Sequence, residues 1–330
     1  MRALAAAVRL VRAAGPAAIV AAALAAAPVR ADEAFVTNQE SQDVSVVDLS
    51  TRTVVATIPV PGRPAGIAVS RDGARAYVTS PEDKAVTIID TASRTAIAHV
   101  TVGGGPLGIA VHPSGAPVYV ADWYGARILV VDPVAGTVTA TVAVGASPSG
   151  VAVTPDGAKI LSADRDSDQV TILDAASLKT VATVRVGTRP FGVTIDADGR
   201  RAYAANVGSN DVSVIDIATA TVVGTVRVGE RPYAVALAQG RGFSTDQYAE
   251  TVTAFDLATL KPVATIAVGE YPEGIATGSD GRTLYVANWF SNSVSVIDAE
   301  SLKVEAEIAV GDGPRAFGAF LRRTDPAPSR

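Results

Sequence analysis

The chain has 330 residues, of which 48% are hydrophobic and 18% are charged, with a net charge of −5. Its 29 glycines and 19 prolines are typical of short strands joined by tight turns and argue against long amphipathic helices. Cysteine is absent from the sequence, which excludes disulfides, thiolate metal ligands and a thiol nucleophile.

Residues 1–31 differ from the rest and are predicted to be a signal peptide. Arginines at the start precede an apolar run from Ala17 to Ala27, and small residues lead to a cleavage site near Ala31. The run is shorter than the roughly 20 residues that a membrane span needs. We therefore expect a periplasmic or secreted protein whose mature chain has no membrane span.

The predicted mature chain is acidic. The leader holds four of the 28 basic residues and none of the 33 acidic ones, so its removal changes the net charge from −5 to −9. This charge disfavours binding to nucleic acid or to an anionic membrane surface.

One pattern repeats seven times along the rest of the chain. An aspartate closes an alternating apolar run, and a proline follows it 16 residues later, with a period of 42 residues and one step of 40. Repeats of this length indicate a solenoid or a propeller. The aspartates are Asp48, Asp90, Asp132, Asp174, Asp216, Asp256 and Asp298, and the prolines are Pro64, Pro106, Pro148, Pro190, Pro232, Pro272 and Pro314.

Each repeat is predicted to form four short strands. In the copy that begins at Pro190 these are Gly192–Ile195, Ala202–Ala205, Asp211–Asp216 and Val222–Val228. Four strands per repeat correspond to one propeller blade. The prediction for residues 32–321 is therefore an all-β, seven-bladed β-propeller with four antiparallel strands in each blade.

The order of the strands predicts how the ring closes. Phe35–Asn38, Asp43–Asp48 and Val54–Val60 supply the second, third and fourth strands of a blade whose first strand, Ala316–Leu321, lies at the C-terminal end. We expect this C-terminal strand to join the three N-terminal strands by pairing beside Phe35–Asn38. Residues 322–330, rich in proline and charge, are predicted to be a disordered tail.

The second strands carry a recognisable motif. FVTN (35–38), YVTS (77–80), YVAD (119–122), YAAN (203–206) and YVAN (285–288) are each followed by a strand like VSVID and a turn like VGxxPxG. In these features the chain resembles the YVTN-repeat β-propeller family over residues 34–321. The resemblance implies the fold and an exported bacterial or archaeal protein. It implies little about function, because many members have no assigned activity, some lie beside redox systems and some have been proposed to bind ligands or nucleic acid.

Positions that repeat in every blade have structural explanations. Each recurring aspartate ends a third strand and is expected to accept backbone N–H bonds in the following turn. The small residue two positions after each proline is expected where seven first strands crowd round the axis. The aromatic residue that opens most second strands is expected to pack between blades.

Positions that differ between blades point to one face of the propeller. The loops before each first strand and after each second strand should emerge on the same face, where aromatic residues and arginines collect. Such a set is typical of a recognition surface, although loop aromatics can also cap blade ends and loop arginines can pair with nearby acids. The candidate binding residues are Arg63, Leu107, Trp123, Tyr124, Arg189, Phe191, Arg231, Tyr233, Tyr248, Tyr271, Glu273, Trp289, Phe290 and Arg315.

Signals for a metal or a catalytic group are weak. Asp164, Asp166 and Asp168 alternate in one loop and could offer oxygen ligands to Ca²⁺, but solvated acids are the favoured interpretation because the other parts of a calcium loop are missing. His99 and His112 fall away from the candidate face. No cofactor is predicted, and no catalytic residue set is recognisable.

Three functions remain open. The favoured one is an exported, monomeric binding propeller that holds a small polar or anionic ligand, or a periplasmic protein partner, at the mouth of the central channel. The first alternative is an enzyme, lactonase-like, lyase-like or quinone-associated, that uses the channel. The second is single-stranded nucleic-acid binding on the aromatic residues, which the acidic charge disfavours. Glu273 and Arg315 could form an ion pair or hold a polar ligand.

Overall fold

The computed structural model describes residues 32–323. The predicted signal peptide (1–31) and residues 324–330 of the predicted tail lie outside the described residues. Apart from one turn of 3₁₀ helix, Arg165–Ser167, the regular structure of the described chain is β-strand.

The strands form seven blades in chain order, each an antiparallel sheet. Blade one contains β1 (Glu33–Asn38), β2 (Asp43–Asp48) and β3 (Thr53–Pro59); blade two contains β4 (Gly66–Val69), β5 (Arg75–Ser80), β6 (Ala85–Asp90) and β7 (Thr95–Thr101). Blade three contains β8 (Pro106–Val111), β9 (Val118–Asp122), β10 (Arg127–Asp132) and β11 (Thr137–Ala143); blade four contains β12 (Pro148–Val153), β13 (Lys159–Asp164), β14 (Gln169–Asp174) and β15 (Thr180–Arg185).

The remaining strands complete the ring. Blade five contains β16 (Pro190–Ile195), β17 (Arg201–Asn206), β18 (Asp211–Asp216) and β19 (Thr221–Arg227); blade six contains β20 (Pro232–Ala238), β21 (Arg241–Asp246), β22 (Thr251–Asp256) and β23 (Pro262–Ala267). Blade seven contains β24 (Pro272–Thr277), β25 (Thr283–Asn288), β26 (Ser293–Asp298) and β27 (Lys303–Ala309), and the chain ends in β28 (Phe317–Ala319) and β29 (Leu321–Arg322). The first strands of neighbouring blades contact one another all the way round, from β4 to β28 and back to β4. The predicted seven-bladed β-propeller is confirmed.

The ring closes through the C-terminal segment, as predicted. Pro314 pairs with Asn38, the same register that Pro190 and Asn206 show in blade five. The N–H of Phe35 donates to the carbonyl of Phe320 at 2.9 Å, and β29 pairs antiparallel with β1. The first strand of blade one is therefore supplied from the other end of the chain.

The closing segment differs from the single strand that the sequence predicts. Its middle part, β28, pairs in parallel with β4 of blade two, and only β29 pairs with β1 as a regular strand. Gly318 permits this approach, because a Cβ there would lie 2.4 Å from the carbonyl oxygen of Ile67 and its φ of 126° suits glycine.

Arg322 and Arg323, the first two residues of the predicted tail, are among the described residues. Arg322 belongs to β29, and its guanidinium donates to the carboxylate of Glu33 at 2.8 Å and to the carbonyl of Gly73 at 3.0 Å. Glu33 is buried and also accepts from Arg94 at 2.5 Å. Burial of this carboxylate requires both cations, so the chain is held in place through Arg322.

The repeated residues hold the blades together as expected. The aspartate that ends each third strand accepts turn amides, for example from Ser50 and Thr51 onto Asp48 at 2.9 and 3.0 Å. The aromatic residues that open the second strands are buried between blades, with Phe35 and Phe243 fully enclosed. The core is thus divided among the interfaces between neighbouring sheets.

The small residue after each repeated proline lies where the first strands come closest. A Cβ on Gly66 would lie 2.1 Å from the carbonyl oxygen of Leu107, and one on Gly108 would lie 1.9 Å from that of Ser149. Atoms cannot approach this closely, so blades two and three require glycine here. Blade six accommodates Ala234 at the same position.

We expect Gly108→Ala to lower the free energy of unfolding by about 3 kcal/mol, because the added methyl meets backbone that cannot move without shifting a whole blade. Urea unfolding followed by circular dichroism measures this. The matched control is Ala234→Gly, which removes a methyl at the equivalent position and should cost only about 1 kcal/mol. Equal effects of the two changes would contradict the crowding of the axis.

Candidate functional site

The pairing of strands brings two sets of loops to one face of the propeller, called here the candidate face. In blade six Pro232, at the start of the first strand, pairs with Asp246, at the end of the second strand. The loops before β20 and after β21 therefore meet, and the N–H of Gln247 donates to the carbonyl of Arg231 at 3.1 Å. Blades three, four, five and seven have the same pairing.

The mouth of the central channel on this face is filled by side chains. The rings of Phe191, Tyr233 and Phe317 are buried and packed together, with centroids 4.3 to 5.2 Å apart. Leu107 and Trp123 pack against them. These five residues are called the aromatic plug.

Two of the candidate residues that differ between blades are buried in the plug. Phe191 and Tyr233 were expected to face a ligand at an open mouth, but only 8% and 3% of their surfaces are exposed. Seven converging strands leave a mouth narrow enough for three rings to fill, so these residues form core. Phe317 was missed because its place in the sequence is an ordinary apolar position of a first strand.

A buried polar network adjoins the plug. Arg231 donates to the side-chain oxygen of Gln247 at 2.8 Å, and the Gln247 amide donates to Glu273 at 2.7 Å. Arg315 donates to the other carboxylate oxygen of Glu273 at 2.7 Å and also to the Tyr233 hydroxyl. The network links blades six and seven to the closing segment.

Glu273 and Arg315 thus form an ion pair rather than an open pair of charges. Glu273 is 3% exposed, and the side chain of Arg315 is 17% exposed. Burial raises the pKa of the Tyr233 hydroxyl, which therefore stays neutral beside the pair. Each charge has its partner within the protein, and Gln247, which the sequence did not single out, donates a further hydrogen bond to Glu273.

The exposed part of the candidate face is a row of rings on blades six and seven. Tyr248, Tyr271, Trp289 and Phe290 follow one another with centroid distances of 4.5 to 6.0 Å. The Arg231 guanidinium lies 4.7 Å from the centroid of Tyr248 and donates to its hydroxyl. These five residues are called the aromatic strip.

Two members of the aromatic strip are open to solvent. Tyr248 is 50% exposed and Phe290 is 58% exposed, whereas Tyr271 and Trp289 are partly buried beneath them. Burial raises the pKa of the Tyr271 hydroxyl to about 12, with a further contribution from the hydrogen bond with Tyr248. The Tyr271 hydroxyl therefore stays neutral at neutral pH.

The other candidate residues lie outside the strip. Arg63 pairs with Glu40 and lies 3.5 Å from Glu82, and Tyr124 is 82% exposed on blade three. Arg189 is exposed, and its side chain has no hydrogen-bond or ion-pair partner among residues 32–323. The fourteen predicted residues thus divide into a plug, a buried network, a strip and isolated surface groups, and do not form one pocket.

The three candidate metal ligands do not converge. Asp164 is buried and accepts from Ser162, Gln169, Thr171 and the Gly145 amide. Asp166 accepts from Ser147 and Arg165, while Asp168 accepts from the Arg189 amide. No cluster of three or more histidines and acids that could hold a metal ion occurs within the described residues.

Asp164 belongs instead to a recurring structural position. The last residue of each second strand is buried and polar, and in every blade except the second, which has Ser80, its side chain bonds to the third strand: Asn38, Ser80, Asp122, Asp164, Asn206, Asp246 and Asn288. Burial raises the pKa of Asp164. It also raises the pKa of Asp246 to about 6, although the hydrogen bonds from Thr253 and Ser244 lower that pKa.

Because the pKa of Asp246 rises from an ordinary 3.8 to about 6 on folding, its protonated form favours the folded state. The stability gained from protonation is full below about pH 4 and is lost as the pH rises to about 6. Asp246→Asn removes the charge and gives blade six the uncharged amide that Asn206 provides at the same position of blade five. As the pH rises through this interval, the free energy of unfolding of the variant relative to that of the unsubstituted protein should increase by on the order of 2 kcal/mol.

Urea unfolding at a series of pH values measures this difference. Asp198→Asn, in an exposed turn of blade five, is the control and should follow the unsubstituted protein. A difference for Asp246→Asn that stays constant with pH would contradict the raised pKa.

Comparisons with known proteins support the fold that the geometry defines. A sequence model described as YNCE-like beta-propeller matches residues 10–114, and one described as Lactonase, 7-bladed beta-propeller, matches residues 131–227. Each match covers less than half of the chain. A search of curated protein sequences gives no significant match.

Solved structures resemble the chain over most of its length. Hydrazine synthase from Kuenenia stuttgartiensis has a TM-score of 0.69 at 22% identity, covering 78% of this chain and 89% of that one. A functionally unknown protein from Desulfotomaculum acetoxidans has a TM-score of 0.74 at 16% identity, covering 87% of this chain and 99% of that one. Dihydro-heme d1 dehydrogenase NirN has a TM-score of 0.65 at 16% identity, covering 86% of this chain and 64% of that one. These likenesses establish a seven-bladed β-propeller and leave its activity open.

Proposed function

We propose that the chain is an exported binding propeller that docks a protein partner on the aromatic strip. The observation that carries this proposal is the half-exposure of Tyr248 and Phe290 beside the Arg231 guanidinium. Tyrosine, tryptophan and arginine are the residues that dominate binding energy at protein interfaces. Rings held by neighbouring rings lose little conformational freedom when a partner covers them.

A protein partner fits this surface better than a small ligand. Among residues 32–323, the aromatic plug and the Glu273–Arg315 pair occupy the mouth of the channel on the candidate face. The aromatic strip beside them lies across two blades, an extended surface that suits another protein.

The charges around the strip indicate the character of the partner. Glu230, Glu250 and Glu270 are exposed and flank the strip; the Tyr248 amide donates to the carbonyl of Glu230, and the Phe290 amide donates to that of Glu270. An apolar centre with an acidic rim complements a partner with an apolar centre and a basic rim. The same acids repel phosphate groups, which argues against single-stranded nucleic acid.

A library of displayed peptides selected on the purified protein tests this proposal. The selected peptides should combine aromatic or aliphatic residues with lysine or arginine. The double change Tyr248→Ala with Phe290→Ala should weaken their binding about tenfold or more, because two exposed rings are lost. Interferometry at low and high salt measures the affinities.

The control is Tyr124→Ala, which removes a tyrosine that is more exposed than Tyr248 and lies outside the strip. Binding should be unchanged in this variant. Selection of acidic peptides, or equal losses in the control and the double variant, would count against the strip as the docking site.

The match to seven-bladed lactonases over residues 131–227 favours a second candidate, hydrolysis of a lactone. We expect no turnover, since Glu273, the carboxylate at the channel mouth, is paired with Arg315. A panel of lactones assayed with a pH indicator checks this. Hydrolysis that depends on Glu273, lost in Glu273→Gln but retained in Asp198→Asn, would favour the enzyme.

Export and a monomeric state are part of the proposal. Export depends on the predicted signal peptide at residues 1–31 and on the family resemblance. Among residues 32–323 no helix is long or apolar enough to cross a membrane.

A further inference from the structure

The central channel contains a cavity on the other side of the aromatic plug. Its volume is about 600 Å³, within the range of small-molecule sites. Its end at the plug is formed by Phe317 and by glycines of the first strands, Gly108, Gly150 and Gly192. From there it extends along the strands to Pro155 and Ala197, in the loops between the first and second strands.

The cavity runs along the first strands. From Gly192 to the end of β16 at Ile195 it follows three steps of extended chain, a length of about 10 Å at 3.3 Å per residue, and it continues into the turn at Ala197. An alkyl chain can therefore lie along the strands within it.

The wall of the cavity is more apolar than polar. Most of the residues that line it are valine, isoleucine, leucine and alanine. Ala110, Ala152 and Ala276 are partly exposed although they lie on innermost strands, so their open surface faces the channel. The hydroxyls of Thr194 and Thr277 donate to carbonyls of β20 at 2.7 and 2.9 Å and are thus satisfied.

The charges at the open end all have one sign. Arg71 and Arg323 are the charged side chains among the described residues that line the cavity, and both are exposed. Neither guanidinium pairs with a carboxylate within residues 32–323, although Arg323 donates to the carbonyl of Thr277 at 3.2 Å. Two unpaired cations beside an apolar cavity, in a chain with more acids than bases, would attract an anionic head group.

We propose that this cavity binds an unbranched aliphatic carboxylate, with its chain along the first strands and its carboxylate at Arg71 and Arg323. Burial of the alkyl chain against the apolar wall supplies most of the affinity, and charge-assisted hydrogen bonds to the arginines set its direction. This site is separate from the aromatic strip and does not depend on the proposed docking of a protein.

Calorimetric titration of the whole protein with octanoate, decanoate and dodecanoate tests the proposal. Affinity should rise about fourfold for each added methylene while the chain is still inside the cavity. Decanoate should bind about tenfold or more tightly than 1-decanol, which lacks the charge. Decylammonium should bind no better than the alcohol.

Variants of the wall and the rim locate the site. Arg71→Ala with Arg323→Ala should weaken decanoate binding about tenfold, while Arg200→Ala, an exposed arginine on the same face outside the cavity, should leave it unchanged. Ala152→Phe should abolish binding by filling the cavity. Melting temperatures identify a variant that fails to fold, and the chain-length series and the rim variants then decide the result.

Three outcomes would overturn the proposal. The first is no saturable binding of any of the three carboxylates. The second is equal affinity for decanoate and decanol together with no effect of the rim variants. The third is undiminished binding in a folded Ala152→Phe protein, which would place the ligand elsewhere. Peptide binding at the aromatic strip should be the same in all these variants, so the two proposals fail independently.

Discussion

The packing of the blades and the shape of the central channel both depend on backbone crowding at the propeller axis. At one level of the channel the first strands approach until a Cβ on Gly66 or Gly108 would lie 2.1 or 1.9 Å from a carbonyl oxygen of the next blade. Such an approach is possible only where side chains are absent or very small. It lets the first strands of neighbouring blades contact one another directly round the axis.

The same crowding explains why the candidate face has no open channel. Phe191 and Tyr233, which precede the small residue of their first strands, pack there against Phe317 of the closing segment. The buried pair of Glu273 and Arg315 closes the rest and connects blade seven to the closing segment. Replacing a buried partner of such a pair leaves the other charge unpaired, so these polar residues are structural even though they lie at the mouth.

Closing one end of the channel divides the molecule into two surfaces of different character. On the plugged face, exposed rings rise above the ends of blades six and seven within an acidic rim. On the other face, the channel stays open as an apolar cavity with two arginines at its edge. The two ends of the channel therefore differ in their charge and in how much apolar surface they expose.

The amino-acid sequence by itself determined the fold. Seven aspartates, seven prolines and a 42-residue period identify the blades, and the order of strands at the two ends predicts the closure, because these features are local or repeat identically. The sequence also indicated which face differs between blades. It could not separate Tyr233, which is buried, from Tyr248, which is half-exposed, because both are tyrosines in loops or strand ends of the same blade.

Only the tertiary structure decided which of these residues meet solvent. Burial at the axis depends on how seven strands converge, and Phe317 joins the plug through a closing segment that comes from the far end of the chain. The pairing of Asp164 with Thr171 and the Gly145 amide likewise depends on the blade being assembled. Repetition in the sequence specifies each blade, whereas the channel and its two ends exist only once the ring has closed.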